Sequence, residues 1–362
     1  MVIQFSASVI LILAAVTFNR QLHYIKTMHP GYDKEQVFYV WLPQVMSERK
    51  DDFKGRLLQI PGIEGVTFTD TKFSDLADGG VQIGWEGKDP DREGLFFSFL
   101  YTDENFIPMM NIKMAEGDNF TGTSADEAYC IVNRTAVKIM GLQEPVGKRL
   151  NVFNGRQILG VTEDFHFQNM HEPIKPLVMS VSPWTRIMYV KVEAYNVPNT
   201  LKAVENLYKQ YNSELPFTYK FIDDEFDMLY KSDVRTGRLL NIFSLIAILV
   251  SCLGLLGLVT YNAETKAKEI GIRKVLGASV ASIVGMLSRE FLILVCIAML
   301  IAFPTAYFLL DRLLQDYAYR ITLSWRLFML AGITTVILTI VTVGWQAIKA
   351  ATKNPVQAIK TE

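Results

Sequence analysis

Charge is missing from four stretches of this chain. Residues 2–18, 239–261, 291–310 and 327–348 hold no Asp, Glu, Lys or Arg. Each approaches or exceeds the roughly 20 apolar residues that carry a helix across a bilayer, and only the first, residues 2–18, falls short of that length. One such run fits a buried core helix; four together exclude an ordinary soluble domain. Helices are the form expected, because hydrocarbon offers backbone groups no other partners. Cysteine is scarce as well. Of three, Cys252 and Cys296 fall in apolar runs, which leaves Cys130 alone in the polar part of the chain. That excludes a disulfide within the polar part, and no CxxC or Cys/His spacing points to a metal site. The net charge is −1 and there is no basic tract, so nothing argues for nucleic acid. There is no phosphate-cradling glycine loop of the Walker type and no HExxH, so the chain should not hydrolyse ATP by itself.

What is present is organised around the four runs. Hydrophobic residues make up 50% and charged residues 20% of the whole. Four spans place both termini on one side, with the 19–238 block and the short 311–326 loop on the other. Lys266, Lys268, Arg273, Lys274 and Arg289 lie in loop 262–290, and Lys349, Lys353 and Lys360 in the tail; the opposite short loop has Arg312, Arg320 and Arg326. The excess places loop 262–290 and the tail in the cytoplasm. The first run lacks a basic lead and is followed by bulky polar residues rather than a small-residue cleavage site, so it reads as an uncleaved span. Its abrupt start fits a piece of something longer.

The fold class expected is a membrane α-helical protein with four transmembrane helices and a mixed α/β extracytoplasmic domain. The division is a first helix at 1–18, an extracytoplasmic domain at 19–222, a stalk and second helix at 223–261, and a cytoplasmic loop at 262–290. A third helix at 291–310, a short loop at 311–326, a fourth helix at 327–348 and a tail at 349–362 complete it. β-branched and aromatic content predicts strands at 36–42, 81–85, 95–100, 129–132, 157–161 and 187–192. Helices are expected at 50–59, 135–141 and 199–212, with Gly62, Gly79, Gly80, Pro90, Gly94, Gly117, Pro173, Pro176 and Pro183 as punctuation. Asp223, Asp224 and Glu225 suit the positive end of a helix. With Gly237 the one glycine and no proline between 223 and 253, that helix should run stiffly into the second span. Ala247, Ser251 and Gly254 share one face, with Gly257 beside it. Such small residues permit close helix packing, within the subunit or at a dimer seam. Pro304 should kink the third span.

Two segments carry candidate chemistry. Glu163, Asp164, His166, His171 and Glu172 form the densest titratable cluster. The two histidines are five apart, which does not put them on one helix face, and Pro173 and Pro176 favour a polar turn over a metal or catalytic site. The other segment, 264–276, is a short charged helix with apolar residues Ile270, Ile272, Val275 and Leu276, and a Glu269–Arg273 pair at i, i+4. Gly277 suits its C-terminal cap, and Ser279 can start the next helix. A helix lying along the lipid interface and a helix docked in a partner's groove both fit.

The sequence EIGIRKVLGAS at 269–279, behind the SCLGLLGL of the second span, resembles the MacB/FtsX-like permeases of ABC transporters. GVTEDFHFQNMHEPIKPLV at 160–178 resembles a segment of their periplasmic core domain, and NPVQAIKTE at 354–362 their C-terminal ending. The resemblance covers essentially the whole chain and is nearest to the second half of the long Bacteroidetes permeases, which join two such halves. It implies a permease of the cell inner membrane with its large domain in the periplasm, no cofactor and no catalysis of its own. It implies that Glu269, Ile270, Gly271, Ile272, Arg273, Lys274, Val275, Leu276, Gly277 and Ala278 couple to an ABC ATPase acting in trans. It further implies a second permease half or a homodimer partner, and a periplasmic adaptor and outer-membrane channel. The implied activity is efflux driven by mechanotransmission, in which ATP-driven closure is relayed to the periplasmic domain. The alternative is an FtsX-like or peptide-sensing regulator that signals across the membrane without transport.

Overall fold

The structure, a computed structural model, describes the chain except residues 73–74, 77–79, 89–93, 153–154 and 352–362. Gly79, Pro90, Lys353, Lys360 and the tail motif at 354–362 lie outside the described residues. In chain order the elements are α1 (Val2–Thr27), β1 (Val37–Trp41), α2 (Gln44–Ser47), α3 (Lys50–Leu57), β2 (Ile63–Thr69), β3 (Val81–Gln82), β4 (Gly84–Trp85), β5 (Phe96–Thr102), α4 (Phe106–Met109), β6 (Met114–Gly117), β7 (Tyr129–Asn133) and α5 (Arg134–Met140). There follow β8 (Arg149–Asn151), β9 (Arg156–Thr162), β10 (Leu177–Val181), β11 (Ile187–Val192), α6 (Val197–Tyr211), β12 (Tyr219–Phe221), α7 (Ile222–Leu229), α8 (Lys231–Thr265), α9 (Ala267–Val275), α10 (Val280–Leu314) and α11 (Trp325–Ala351). They form two compact units, one of residues Met28–Tyr230 and one of Met1–Thr27 with Lys231–Glu362.

The first unit is built on one mixed sheet of order β12-β1-β11-β2-β5-β10-β7-β9-β8-β4, with β3 on β5 and β6 on β9. The β10–β5 and β7–β9 pairs are parallel; the other pairings are antiparallel. The two-residue period of the strands divides the core. Val37, Tyr39, Ile131, Met179 and Tyr189 point to one face. Their neighbours point to the other, where Phe38, Val40, Met188 and Val190 meet Phe53, Leu57, Val204 and Tyr208 of α3 and α6. Cys130, Val132 and Val178 likewise meet Ala136 and Met140 of α5.

Among the described residues, the second unit has four helices long and apolar enough to cross a membrane: α1, α8, α10 and Trp325–Lys349 within α11. The helices extend past the uncharged runs. α1 continues to Thr27, beyond the expected end at 18, because one side of its polar continuation is packed, at Gln21 and Ile25, while Arg20, His23 and Tyr24 stay exposed. Gln21 is fully buried; its Nε2 donates to the Tyr319 carbonyl (2.7 Å) and its Oε1 accepts the Ile321 N–H (2.9 Å). Asn19 Nδ2 donates to Asn241 Oδ1 of α8 at 2.8 Å. Pro304 lies inside α10, which continues across it.

The expected unbroken helix from 223 to 261 is two helices. Tyr230 leaves the helical region (φ −100°, ψ 11°) between α7 and α8. Its side chain explains the break: it is fully buried, its hydroxyl accepts the Met170 N–H at 3.0 Å, and its ring packs on Phe226 and stacks over His171.

Candidate coupling site

α8 ends at Thr265, and Lys266 (φ −93°, ψ 11°) turns the chain into α9. α9 is shorter than the 264–276 expected and closes on Gly277, whose φ of +90° is a conformation that L side chains resist. The Gly277 N–H donates to the Lys274 carbonyl (3.1 Å) and the Ala278 N–H to that of Arg273 (2.9 Å), which satisfies the end of the helix. Ser279 then caps α10, its Oγ accepting the Ser282 N–H at 3.2 Å. Arg273 donates to Glu269 across one turn at 2.7 Å.

The apolar residues of α9 divide into two groups. Ile270 is 6% exposed and sits among Ile283 and Leu287 of α10 and Ala347 of α11; Gly271 is buried beside it. Ile272, Val275 and Leu276 are 51%, 69% and 80% exposed. With about 100° per residue, these three occupy an arc centred opposite Ile270. One apolar side chain therefore fixes α9 to its own bundle while three point away from it. Glu269 and Arg273 are exposed at the margin of that outward face, and Lys274 and Ala278 are half-buried. Leu276, Gly277, Ala278 and Arg273 also border a groove with Ser282, Ile283 and Met286 of α10. Sequence reasoning missed Glu290. Its carboxylate on α10 accepts from Lys266 Nζ (2.5 Å) and Asn262 Nδ2 (2.8 Å).

The small-residue face of α8 is used inside the chain. Ser8 Oγ donates to the Ala247 carbonyl at 3.0 Å and shares a 2.8 Å hydrogen bond with Ser251 Oγ. Gln4 Nε2 donates to the Val250 carbonyl at 2.8 Å, and a Cβ on Gly254 would lie 3.0 Å from Gln4 Oε1. α1 thus covers Ala247, Ser251 and Gly254, which selects packing within the subunit over a dimer seam on this face. Gly257 stays exposed.

The titratable cluster is dispersed among structural partners. Glu163 pairs with Arg134 (2.8 Å) and Glu172 with Lys175 (3.0 Å). Asp164 accepts the N–H and the hydroxyl of Thr135, both at 2.9 Å, at the start of α5. His166 is buried, and burial holds its pKa below the ordinary value. His171 stacks on Tyr230. Among the described residues no group of three or more His, Cys, Asp or Glu is placed to hold a metal. A cavity of about 20 Å³, lined by Tyr32, His166, Gln168, Glu225 and Phe226 among others, has room for about one water rather than a solute. Gln168 leaves both amide atoms buried there without a protein partner. Cys130 is buried, which pushes its thiol up to about 12.

The segment that contains this geometry matches a known family. Residues 241–355 match the FtsX-like permease C-terminal family. The chain carries an FtsX-like permease domain. That domain holds α9, the surrounding helices and the EIGIRKVLGAS motif, so the resemblance read from the motif stands. The fold is also similar to solved structures at low identity. The periplasmic region of MacB from Actinobacillus actinomycetemcomitans is 14% identical, with a TM-score of 0.39, over 55% of this chain and 94% of that one. The extracellular domain of the noncanonic ABC-type transporter YknZ from Gram-positive bacteria is 11% identical, with a TM-score of 0.38, over 51% and 97%. No curated protein matches the chain.

Proposed function

We propose that this chain is the membrane subunit of a MacB/FtsX-type ABC transporter, in which α9 receives the stroke of a separate ATPase. The observation that carries the reading is the division of α9: Ile270 seated in its own bundle, with Ile272, Val275 and Leu276 turned outward. A docking helix uses apolar anchors for affinity and rim charges for orientation. On this reading the outward face meets the ATPase in the cytoplasm of the cell inner membrane, and residues 28–230 form the periplasmic domain. α8 follows α7 directly in the chain, so movement of α9 reaches the last helix of that domain through one buried residue, Tyr230. The four apolar runs contain no ionisable acid or base of the kind that lines an ion path. This favours relay of force over conduction through the spans; an efflux role, with a second permease subunit, a periplasmic adaptor and an outer-membrane channel, rests on the resemblance of the motif at 269–279. Neighbouring reading frames supply the first test: an adjacent ATPase, adaptor and channel support efflux, whereas an adjacent wall hydrolase supports signalling. Co-purification then checks the assembly, and recovery of the chain with no ATPase under any condition refutes the coupling reading.

A further inference from the structure

We infer that Glu290 is the positioning residue of the coupling site, a carboxylate on α10 that clasps the α8–α9 bend and holds α9 in one orientation. The inference rests on the reading of α9 as the ATPase-docking helix, and the geometry gives it its form. Asn262 is the first residue beyond the uncharged run 239–261, and Glu290 is the last before the run 291–310. Both stand where an apolar span gives way to polar sequence. There Glu290 Oε2 accepts from Asn262 Nδ2 at 2.8 Å and Oε1 from Lys266 Nζ at 2.5 Å. Asn262 belongs to the last turn of α8 and Lys266 is the non-helical residue between α8 and α9, so a single carboxylate holds the end of α8 together with the bend residue from which α9 starts.

A second contact makes the bend a fixed corner. Ile270, one turn into α9, packs on Ile283 and Leu287, so the bent segment is tied to α10 at two places, a polar one at Asn262 and Lys266 and an apolar one on α9 itself. Force on the outward face of α9 then passes to α10 as well as along α8. Without the carboxylate, α9 would keep its apolar anchor but could turn about it. Lys266 is 29% and Glu290 51% exposed, and an isolated pair so placed contributes little to overall stability. Its effect should therefore be on the direction of α9 and not on whether the chain folds.

The test uses the full chain with its native cysteines replaced and spin labels at Lys268 on α9 and Ala281 on α10, both exposed. The wild-type pair should give one narrow distance population in detergent or nanodiscs, with no ATPase present. Glu290→Gln and Lys266→Ala should each raise the displaced population about fivefold, the shift expected on losing one half-exposed ionic pair. The double exchange Lys266→Glu with Glu290→Lys should restore the narrow population, since the Asn262 amide can accept from a lysine as readily as donate to a carboxylate. In the parallel arm, Glu290→Gln should retain capture of the cognate ATPase within about twofold while lowering coupled transport more than capture, and the exchange should recover transport. An unchanged distance distribution in Glu290→Gln, or a double exchange no better than the single variants, overturns the clasp. Loss of transport only in proportion to loss of ATPase capture overturns the positioning role. Failure of the wild-type chain to capture any ATPase refutes the docking reading instead, while the distance arm still decides the clasp.

Discussion

Ile270 and Leu276 are six residues apart on one short segment, yet truncating each to alanine should have opposite consequences. Ile270 is 6% exposed and enclosed by Ile283, Leu287 and Ala347. Removing a buried aliphatic side chain costs about 2–5 kcal/mol, and a site at the end of a bundle, free to relax, belongs near the low end. Leu276 is 80% exposed, so its truncation removes almost nothing from the folded chain. On a partner's surface the same side chain has most of its area still to bury. Full burial of a leucine is worth about 1.5–3 kcal/mol. Allowing for the part already covered and for the methyl that alanine retains, Leu276→Ala should lose about 1.5 kcal/mol of binding, near tenfold in Kd. Thermal unfolding of the purified chain and titration with the cognate ATPase measure the two effects. Ile270→Ala should unfold the end of the bundle that holds α9 at lower temperature. Leu276→Ala should leave unfolding unchanged and weaken the complex. A Leu276→Ala chain that melts early and binds normally would refute the division of α9 into inward and outward faces.

Three further outcomes follow from particular residues. A fragment of residues 28–230 should fold without lipid, metal or disulfide, because its core is enclosed by its own sheet and helices and Cys130 is its one cysteine; circular dichroism and gel filtration check this, and recovery only as aggregate contradicts it. That fragment should lose stability on acidification. Burial depresses the His166 pKa in the folded state, so folding holds the imidazole neutral, and stability present above the unfolded value of about 6.5 is lost as pH falls below it; His166→Gln should flatten the dependence of denaturant midpoints between pH 7.5 and 5. In a cysteine-replaced chain in intact spheroplasts, a cysteine at Glu214 should react with an impermeant thiol reagent and one at Lys268 should not, and the reverse pattern would invert the orientation.

The sequence made the spans and the coupling segment visible because their signals are local. Absence of charge over about 20 residues needs no tertiary knowledge, and a glycine after a charged helix announces its cap, as Gly277 does. The strands at 36–42, 129–132 and 187–192 were legible from β-branched and aromatic runs, and the structure has β1, β7 and β11 there. β2 was not, since Glu64 and Gly65 interrupt its pattern, nor β10, which follows Pro176 directly. β12 is three residues long and exists through its pairing with β1. The extension of α1 was hidden because Gln21 resembles an end to an apolar helix until Tyr319 and Ile321, some 300 residues away, supply its partners. The break at Tyr230 was hidden for the same reason: the Met170 N–H that it binds is remote in sequence. In the candidate site the residue set was legible and its division was not. Ile270 and Ile272 are equally apolar, and only the position of α10 decides which one is covered. Glu290 likewise reads as an ordinary end-of-span charge until Lys266 and Asn262 are brought to it.

The central claim is that the outward face of α9 docks on an ATPase, and the most direct measurement is capture of that ATPase by the full chain with Ile272→Asp and Leu276→Asp combined. Both side chains are more than half exposed, so the double variant should fold, insert and keep the native unfolding profile of residues 28–230. It should fail to retain the ATPase that the wild-type chain retains, because two carboxylates would have to be desolvated in an apolar groove. Undiminished capture by the double variant would contradict the account.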